Sequence, residues 1–293
     1  MTAGVQGMTG ALPDVTPRGP SLLRRVLADP GATFAALLVL LFVAAALFAP
    51  LIAWVDPYET NLAATLRPPS AEHWFGTDAQ GRDLVVRCLY GLRLTLLIGL
   101  VSVAIGGGLG ILVGFLAAFY PRLDGVLMRL MDMLLSFPAI LFGLALAAIF
   151  GPGVVAVVTA LAIATVPLMA RIVRGAALVV MKQDYIEAAR AIGMSDARLI
   201  WRHVAPNAAS AIFVFATLRF GQVILLGSAL SFLGLGAQPP TAELGAMAAE
   251  GRNFLFFAPH ISVVPSVIIF LVVLAFNILG DALRDALDPR LRV

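Results

Sequence analysis

Charged residues are scarce in this chain: only 13% of its 293 residues are Asp, Glu, Lys or Arg. It has a single cysteine, Cys88, which excludes an internal disulfide and a cysteine-based metal site. Its single lysine, Lys182, does not follow the glycine-rich run of a phosphate-binding P-loop. The three histidines are far apart in sequence and no nucleophile–base pair stands out, so no catalytic residue is predicted. If ATP drives this protein, another chain is expected to hydrolyse it.

Apolar residues, in contrast, are abundant. They make up 60% of the chain and give it a mean hydropathy of +0.97. An ordinary soluble domain is not this apolar, so the chain is expected to lie in a lipid bilayer. Its fold is predicted to be an all-α polytopic membrane protein, because a lone strand cannot satisfy its backbone hydrogen bonds in lipid.

The apolar runs divide the chain into parts. Residues 1–32 are predicted to be a cytoplasmic tail with a short amphipathic segment, and residues 33–54 a first transmembrane anchor. A signal peptide is the alternative for 33–54, but its apolar run exceeds the roughly 7–15 residues of a signal core. An extracytoplasmic loop over 55–91, a membrane core over 92–283 and a cytoplasmic tail over 284–293 follow. Five stretches of the core are long enough to cross a bilayer, which takes about 20 residues. They are 92–119, 126–150, 154–173, 207–232 and 261–283. With the first anchor they make about six spans.

The arginines predict the orientation. With the N-terminus inside, the outer segments hold only Arg67, Arg82, Arg87, Arg93 and Arg252, and the inner segments hold most of the others. The positive-inside rule therefore places both termini in the cytoplasm, together with a polar interruption over 184–206.

Two features inside the membrane concern helix packing. Gly106, Gly110 and Gly114 recur every four residues, which is typical of a face where another helix approaches closely, and the spacing is not that of a nucleotide-binding loop. Pro138 and Pro167 are predicted to kink the third and fourth spans, near the pathway or simply for packing.

Arg219 lies about 13 residues past Pro206, or nearly 20 Å along a helix, so it is expected well inside the bilayer. Exposing it to lipid would cost roughly 2.5–3.5 kcal/mol. With Gln222 one turn away, it is a candidate pathway residue that attracts a carboxylate. The alternative is a structural bond to the carbonyl of a neighbouring helix. For Asp132, nearer a cytoplasmic helix end, structural bonding is the favoured role.

The polar interruption over 184–206 predicts two short helices. Asp184 and Glu187 have the spacing of a capping box, so a helix is expected to begin at Tyr185. Apolar side chains at helical spacing form one stripe on this helix: Tyr185, Ala188, Ala189 and Ile192.

Gly193 suits the left-handed turn that closes this helix, and Ser195 is predicted to cap a second helix that runs towards Pro206. The order Glu187-Ala188-Ala189, three residues, Gly193 and a run ending in Pro206 resembles the EAA loop of ABC-importer permeases. The resemblance implies that the first helix is a coupling helix seated in a cleft of a cytoplasmic ATPase, where small side chains allow a close fit. The family's usual Ile-x-Leu-Pro ending is replaced here in the second helix only, which leaves the docking end intact.

Other blocks resemble the second membrane subunit of dipeptide, oligopeptide and nickel importers. They are Phe75-Gly-Thr-Asp78, Gly81-Arg-Asp83, Tyr90-Gly-Leu-Arg93, Ser231-Phe-Leu-Gly-Leu-Gly236, Gln238-Pro-Pro240, Gly251-Arg252, Ala275-Phe-Asn-Ile-Leu-Gly-Asp281 and the stretch from Leu283 to Arg290. Two positions differ: Gly227 replaces an acidic residue, and Ala242-Glu243-Leu244 replaces Pro-x-Trp. If that acid helps to pass a peptide ammonium group, its absence weakens the assignment to ordinary dipeptides.

The resemblance implies a type I ABC importer permease in a bacterial inner membrane. A homologous permease would complete the pathway as a heterodimer, an extracytoplasmic solute-binding protein would deliver di- or oligopeptides, and two ATP-binding subunits would hold ATP and Mg. This chain would itself bind no cofactor, metal or nucleic acid. Nickel or metal-chelate import by the same machinery is an alternative. An ATP-independent carrier is another, but it predicts an inverted repeat and a mid-membrane acid that the sequence does not clearly show.

Overall fold

The computed structural model describes residues 28–287. Most of the predicted N-terminal tail and the last six residues therefore lie outside the described part. Within it the chain forms α-helices joined by loops and short 3₁₀ turns, without a β-strand, which confirms the all-α prediction. The helices are α1 Pro30–Ile52, α2 Leu84–Phe119, α3 Pro121–Ser136, α4 Ala139–Phe150, α5 Val154–Met181, α6 Asp184–Ala191, α7 Asp196–Leu199, α8 Ala205–Phe232, α9 Leu244–Gly251 and α10 His260–Leu287.

Five helical segments in the described range are long and apolar enough to cross a membrane: α1, α2, α5, α10, and α7 with α8. The pair of α3 and α4 forms a sixth if it is counted as one span, but it is bent by 84°. The break lies at Phe137 and Pro138, where Phe137 has an extended backbone, as expected before proline. The span predicted over 126–150 is thus broken at Pro138, one of the two prolines that were predicted to kink their spans. At Pro167, in contrast, α5 continues as one helix.

Helix α2 begins at Leu84, well before the predicted start at 92. The Asp83 carboxylate caps it by accepting hydrogen bonds from the backbone N–H groups of Val85 and Val86, at 2.9 and 3.2 Å. The first turns of α2 looked like loop because Arg87 lies in them, yet Arg87 is fully buried. Its burial depends on partners far away in the sequence.

The most extensive helix pairing in the fold joins α2 to α5. Gly106, Gly110 and Gly114 lie in this contact. A Cβ added at Gly110 would lie 2.6 Å from Met169 Cβ, and one at Gly114 would lie 2.7 Å from the carbonyl oxygen of Ala170. Side chains at these positions would therefore overlap α5, and the glycines let the two backbones approach closely.

Candidate functional site

The segment over 184–204, which we call the elbow, consists of α6, α7 and a π-helical turn at Ile200–Val204 that leads into α8. Gly193 closes α6 in the left-handed conformation, with φ of +82°. The Met194 N–H donates to the Ala189 carbonyl at 3.1 Å and the Gly193 N–H donates to the Arg190 carbonyl at 2.9 Å. These two bonds form a Schellman motif, which fixes the direction of the chain after the helix.

The predicted capping box does not form. Helix α6 begins at Asp184, one residue before the predicted start, and Gln183 takes the N-cap position without a side-chain bond. Asp184 and Glu187 therefore both lie in the first turn, where their charges interact favourably with the helix dipole. Ser195 does occupy the N-cap position of α7, but its side chain makes no capping bond either.

The two faces of α6 have different surroundings. Ile186 and Ala189 are buried in a hydrophobic cluster shared with α2, α5 and α8. The predicted apolar stripe faces the other way, apart from Ala189: Tyr185 is 44% exposed, Ile192 is 81% exposed, and Ala188 between them is exposed too. An apolar row at positions i, i+3 and i+7 is thus presented outward from a helix that is anchored on its opposite side.

The π-helical turn holds the elbow against α8. Leu199 and Val204 are fully buried in the same cluster that receives α6. The rings of Tyr185 and His203 lie 6.1 Å apart, so the two parts of the elbow also meet at its surface. Trp201, in the same π-helical turn and not among the residues predicted for the site, is 76% exposed.

Arg219 is buried in α8, with 7% exposure. Its guanidinium donates to the Ala164 carbonyl at 3.2 Å, to Thr165 Oγ1 at 3.3 Å and to Gln222 Oε1 at 3.1 Å. Two of these acceptors belong to α5, so the contacts match the structural alternative. Gly227, one of the two divergent positions, also faces α5: a Cβ there would lie 3.1 Å from Leu161 Cδ1.

Near the elbow end of the bundle, two ion pairs connect α3 to α5. Arg174 donates to both carboxylate oxygens of Asp124, at 2.6 and 2.5 Å. Asp132 pairs with Arg171 on a more exposed surface. Asp132 therefore has a structural bond, as the sequence favoured.

At the opposite end, which we call the α9 end, a buried ion-pair cluster joins residues far apart in the sequence. Asp78 Oδ2 lies 2.6 Å from Arg82 Nε and 3.2 Å from Arg87 Nε. Glu250 Oε2, on α9, lies 3.5 Å from a terminal nitrogen of each arginine. Arg82 and Arg87 were predicted only as two of the few positive charges of the outer segments. Asp78 and Arg82 do lie in the two blocks, Phe75–Asp78 and Gly81–Asp83, that resemble importer permeases. That resemblance is the one sequence signal that pointed to these residues.

A cavity of about 340 Å³ lies next to this cluster, between the end of α8, the following loop and α9. Ser231, Gln238, Glu250 and Arg252 contribute polar groups to its wall. The Ser231 Oγ and Glu250 Oε1 atoms are buried and have no hydrogen-bond partner among the described residues. Burial raises the pKa of Glu250, although the nearby Arg87 and Arg82 lower it. Such a cavity is able to hold water or a small polar group.

Two family models match the chain. Residues 110–293 match the binding-protein-dependent transport system inner membrane component, and residues 21–69 match the N-terminal TM domain of oligopeptide transport permease C. The glutathione transport system permease protein GsiD of Escherichia coli O157:H7 is 44% identical over 297 residues, covering 98% of this chain and 97% of GsiD. GsiD of Pectobacterium atrosepticum is 44% identical over 274 residues, covering 92% and 90%.

Solved structures show the same fold. An inward-facing structure of the MetNI methionine ABC transporter aligns with a TM-score of 0.59 at 21% identity, covering 70% of this chain and 98% of that one. An amino acid ABC transporter crystallised with histidines aligns with a TM-score of 0.53 at 22% identity, covering 67% and 92%. The fold is that of a type I ABC importer permease. On the family model and on the identity to GsiD, this chain belongs to the binding-protein-dependent transport system inner membrane components, the permeases of ABC importers.

Proposed function

We propose that this chain is one of two permease subunits in an ATP-driven importer of peptides or of a peptide-like solute such as glutathione. In this proposal α6 docks on a cytoplasmic ATPase, which binds ATP and Mg, and a homologous permease supplies the other half of the pathway. A solute-binding protein delivers the solute on the other side of the membrane. The observation that carries the proposal is the outward apolar row of α6, on a helix whose opposite face is buried.

The elbow has the physical properties that coupling requires. Tyr185, Ala188 and Ile192 offer an apolar surface, and an amphipathic helix of this kind is suited to a groove on a partner. Glu187 and Arg190 are exposed beside that row and offer charges for orientation. The Schellman motif at Gly193 and the buried Ile186 make the elbow stiff, so a displacement of α6 is passed on to the bundle.

The substrate class rests on the relatives. These relatives are glutathione transport permeases by name, and their identity to this chain extends over nearly its whole length. The absence of an acid at position 227 does not oppose this class, because the packing of Gly227 on α5 directs a side chain there into a helix contact. A pathway role for Arg219 and Gln222 stays a prediction. Arg219 would have to release the Ala164 and Thr165 acceptors on α5 before it could bind a solute carboxylate.

The orientation follows from coupling. A helix that docks on a cytoplasmic ATPase places the elbow and both termini in the cytoplasm, and the α9 end outside. Because Arg82 and Arg87 are neutralised in buried pairs, the outer segments carry even less free positive charge than the sequence count indicates, which agrees with the positive-inside rule. The permease is then a bacterial inner-membrane protein.

Cysteine crosslinking tests the docking. We expect Ile192→Cys to crosslink to the ATPase in the assembled transporter. Phe256→Cys, on a fully exposed residue at the α9 end, should not. Uptake of glutathione into proteoliposomes should require the ATPase, ATP and the binding protein. Uptake by this chain alone would favour the ATP-independent carrier, and crosslinks only at position 256 would reverse the orientation. No feature of residues 28–287 favours the metal-chelate alternative.

A further inference from the structure

An apolar groove runs between α1, α2, α8 and α10, with a volume of about 600 Å³. Its wall is hydrophobic except for Arg93 and Thr217. Ala46 lines it from α1, Leu97 and Leu100 from α2, and Phe220 from α8. Water is a poor occupant, because a space with so few polar groups cannot satisfy its hydrogen bonds.

Arg93 lies at the polar end of this groove. Its side chain is exposed, and it makes no hydrogen bond or ion pair with any residue that the structure describes. Residues 94–119, which follow it to the end of α2, contain no charged side chain. A helix of that length is about 39 Å long, and the hydrocarbon core of a bilayer is about 30 Å thick. The uncharged part of α2 can therefore span the hydrocarbon core with Arg93 at head-group level.

The groove continues from Arg93 into the hydrocarbon. Arg93, Leu97 and Leu100 fall at i, i+4 and i+7, so they share one face of α2. From Arg93 to Val103, the last lining residue on α2, the helix descends about 15 Å, which is half the hydrocarbon core. A cation at head-group level above an apolar channel one leaflet deep matches a molecule with an anionic head and an alkyl chain.

We propose that this groove binds a glycerophospholipid of the leaflet at the α9 end, with its phosphodiester on Arg93 and an acyl chain along Leu97 and Leu100. An arginine that reaches the head-group region from the end of a helix can donate charge-assisted hydrogen bonds to a lipid phosphate. A phosphatidylglycerol should bind more tightly than a phosphatidylethanolamine, because the ammonium group of the latter competes with Arg93 for the phosphate. The proposal does not depend on the solute that the transporter carries.

Native mass spectrometry of the purified, delipidated transporter, titrated with phosphatidylglycerol, tests the site. We expect Arg93→Ala to remove one bound lipid and to weaken binding at that site about tenfold or more, as for the loss of a charge-assisted contact. Arg93→Lys keeps the charge and should keep the lipid. Ala216→Trp should fill the groove and displace the lipid with Arg93 in place. If Ala216→Trp does not assemble, the lipid counts of Arg93→Ala and Arg93→Lys test the proposal without it.

Arg252→Ala is the matched control, because Arg252 is an exposed arginine at the same end that lies over the Phe232 ring and outside the groove. It should leave the lipid count unchanged. An equal loss in Arg252→Ala would mean general attraction of head groups and would overturn the proposal. An unchanged lipid count in Arg93→Ala would also overturn it. So would an oxidant-induced disulfide between Arg93→Cys and a cysteine introduced in the second permease, together with an unchanged lipid count, because it would identify a protein contact instead.

Discussion

Replacing Gly193 should uncouple transport through the backbone and not through side-chain contacts. At its φ of +82° an ordinary L-residue is strained, and a β-branched residue more so. A Cβ at this position meets nothing within 4 Å, so the substitution adds no steric clash. The left-handed conformation costs most residues roughly 1–2 kcal/mol, which shifts the balance between the closed and open turn about 5- to 30-fold.

The side chain that is chosen separates the two causes. Gly193→Asn should behave almost like the native protein, because asparagine tolerates this conformation. Gly193→Ala should be intermediate. Gly193→Val should be the most impaired, because the left-handed backbone costs a β-branched residue about 1–3 kcal/mol. The assay is the ratio of solute taken up to ATP hydrolysed by the complete transporter in proteoliposomes. Membrane assembly, checked by size-exclusion chromatography, should be the same in all four proteins.

Two results would refute this reasoning. If Gly193→Asn were as impaired as Gly193→Val, side-chain bulk and not backbone conformation would govern the elbow. If Gly193→Val coupled normally, the direction of the chain after α6 would have no part in transmission. Either result would leave the family assignment unchanged, because that assignment rests on the whole chain.

Three further predictions concern the bundle. Gly110→Leu should destabilise the purified protein by about 1–3 kcal/mol or prevent its assembly, because the side chain overlaps α5; Gly108→Leu, where a Cβ has open space, should leave the melting temperature unchanged. Asp78→Asn should lower the free energy of unfolding, measured by chemical denaturation, by about 3–5 kcal/mol, because it leaves buried arginine charge unbalanced. Glu72→Gln is its control: Glu72 lies 3.8 Å from Arg67 in an exposed ion pair, and its loss should change stability by less than about 1 kcal/mol. Because the folded-state pKa of Glu250 is raised, its contribution to stability should fall as pH rises through that pKa, and Glu250→Gln should remove this part of the pH dependence measured by thermal unfolding.

Much of the fold could be predicted from the sequence because its strongest signals are local. Apolar runs located the spans, and the four-residue spacing of the glycines indicated the face of α2 that meets α5. The predicted start of α2 was wrong, because a charged residue such as Arg87 favours a loop outside the membrane. Arg87 is buried in the helix only because the fold brings its partner Glu250, far along the chain, next to it. Long-range ion pairs of this kind leave no periodic pattern in the sequence.

The elbow shows the same division. Its two helices and the turn at Gly193 follow from residue types with strong local preferences. The capping box was wrong because the backbone at Gln183 decides where α6 begins, and either start fits the acidic residues. Which face of α6 is buried depends on how it contacts α2, α5 and α8. The sequence alone showed an apolar stripe but not that most of it points outward.

The hydrophobic cluster that buries Ile186 and Leu199 determines which helices would move when α6 is displaced. Ile186 and Leu199 lie in one hydrophobic mass with the ends of α2, α5 and α8, and the glycine contact joins α2 to α5 along their length. These helices are therefore expected to travel as a single block. The break at Phe137 and Pro138 lies outside that cluster, so a change in the angle between α3 and α4 would leave the cluster intact.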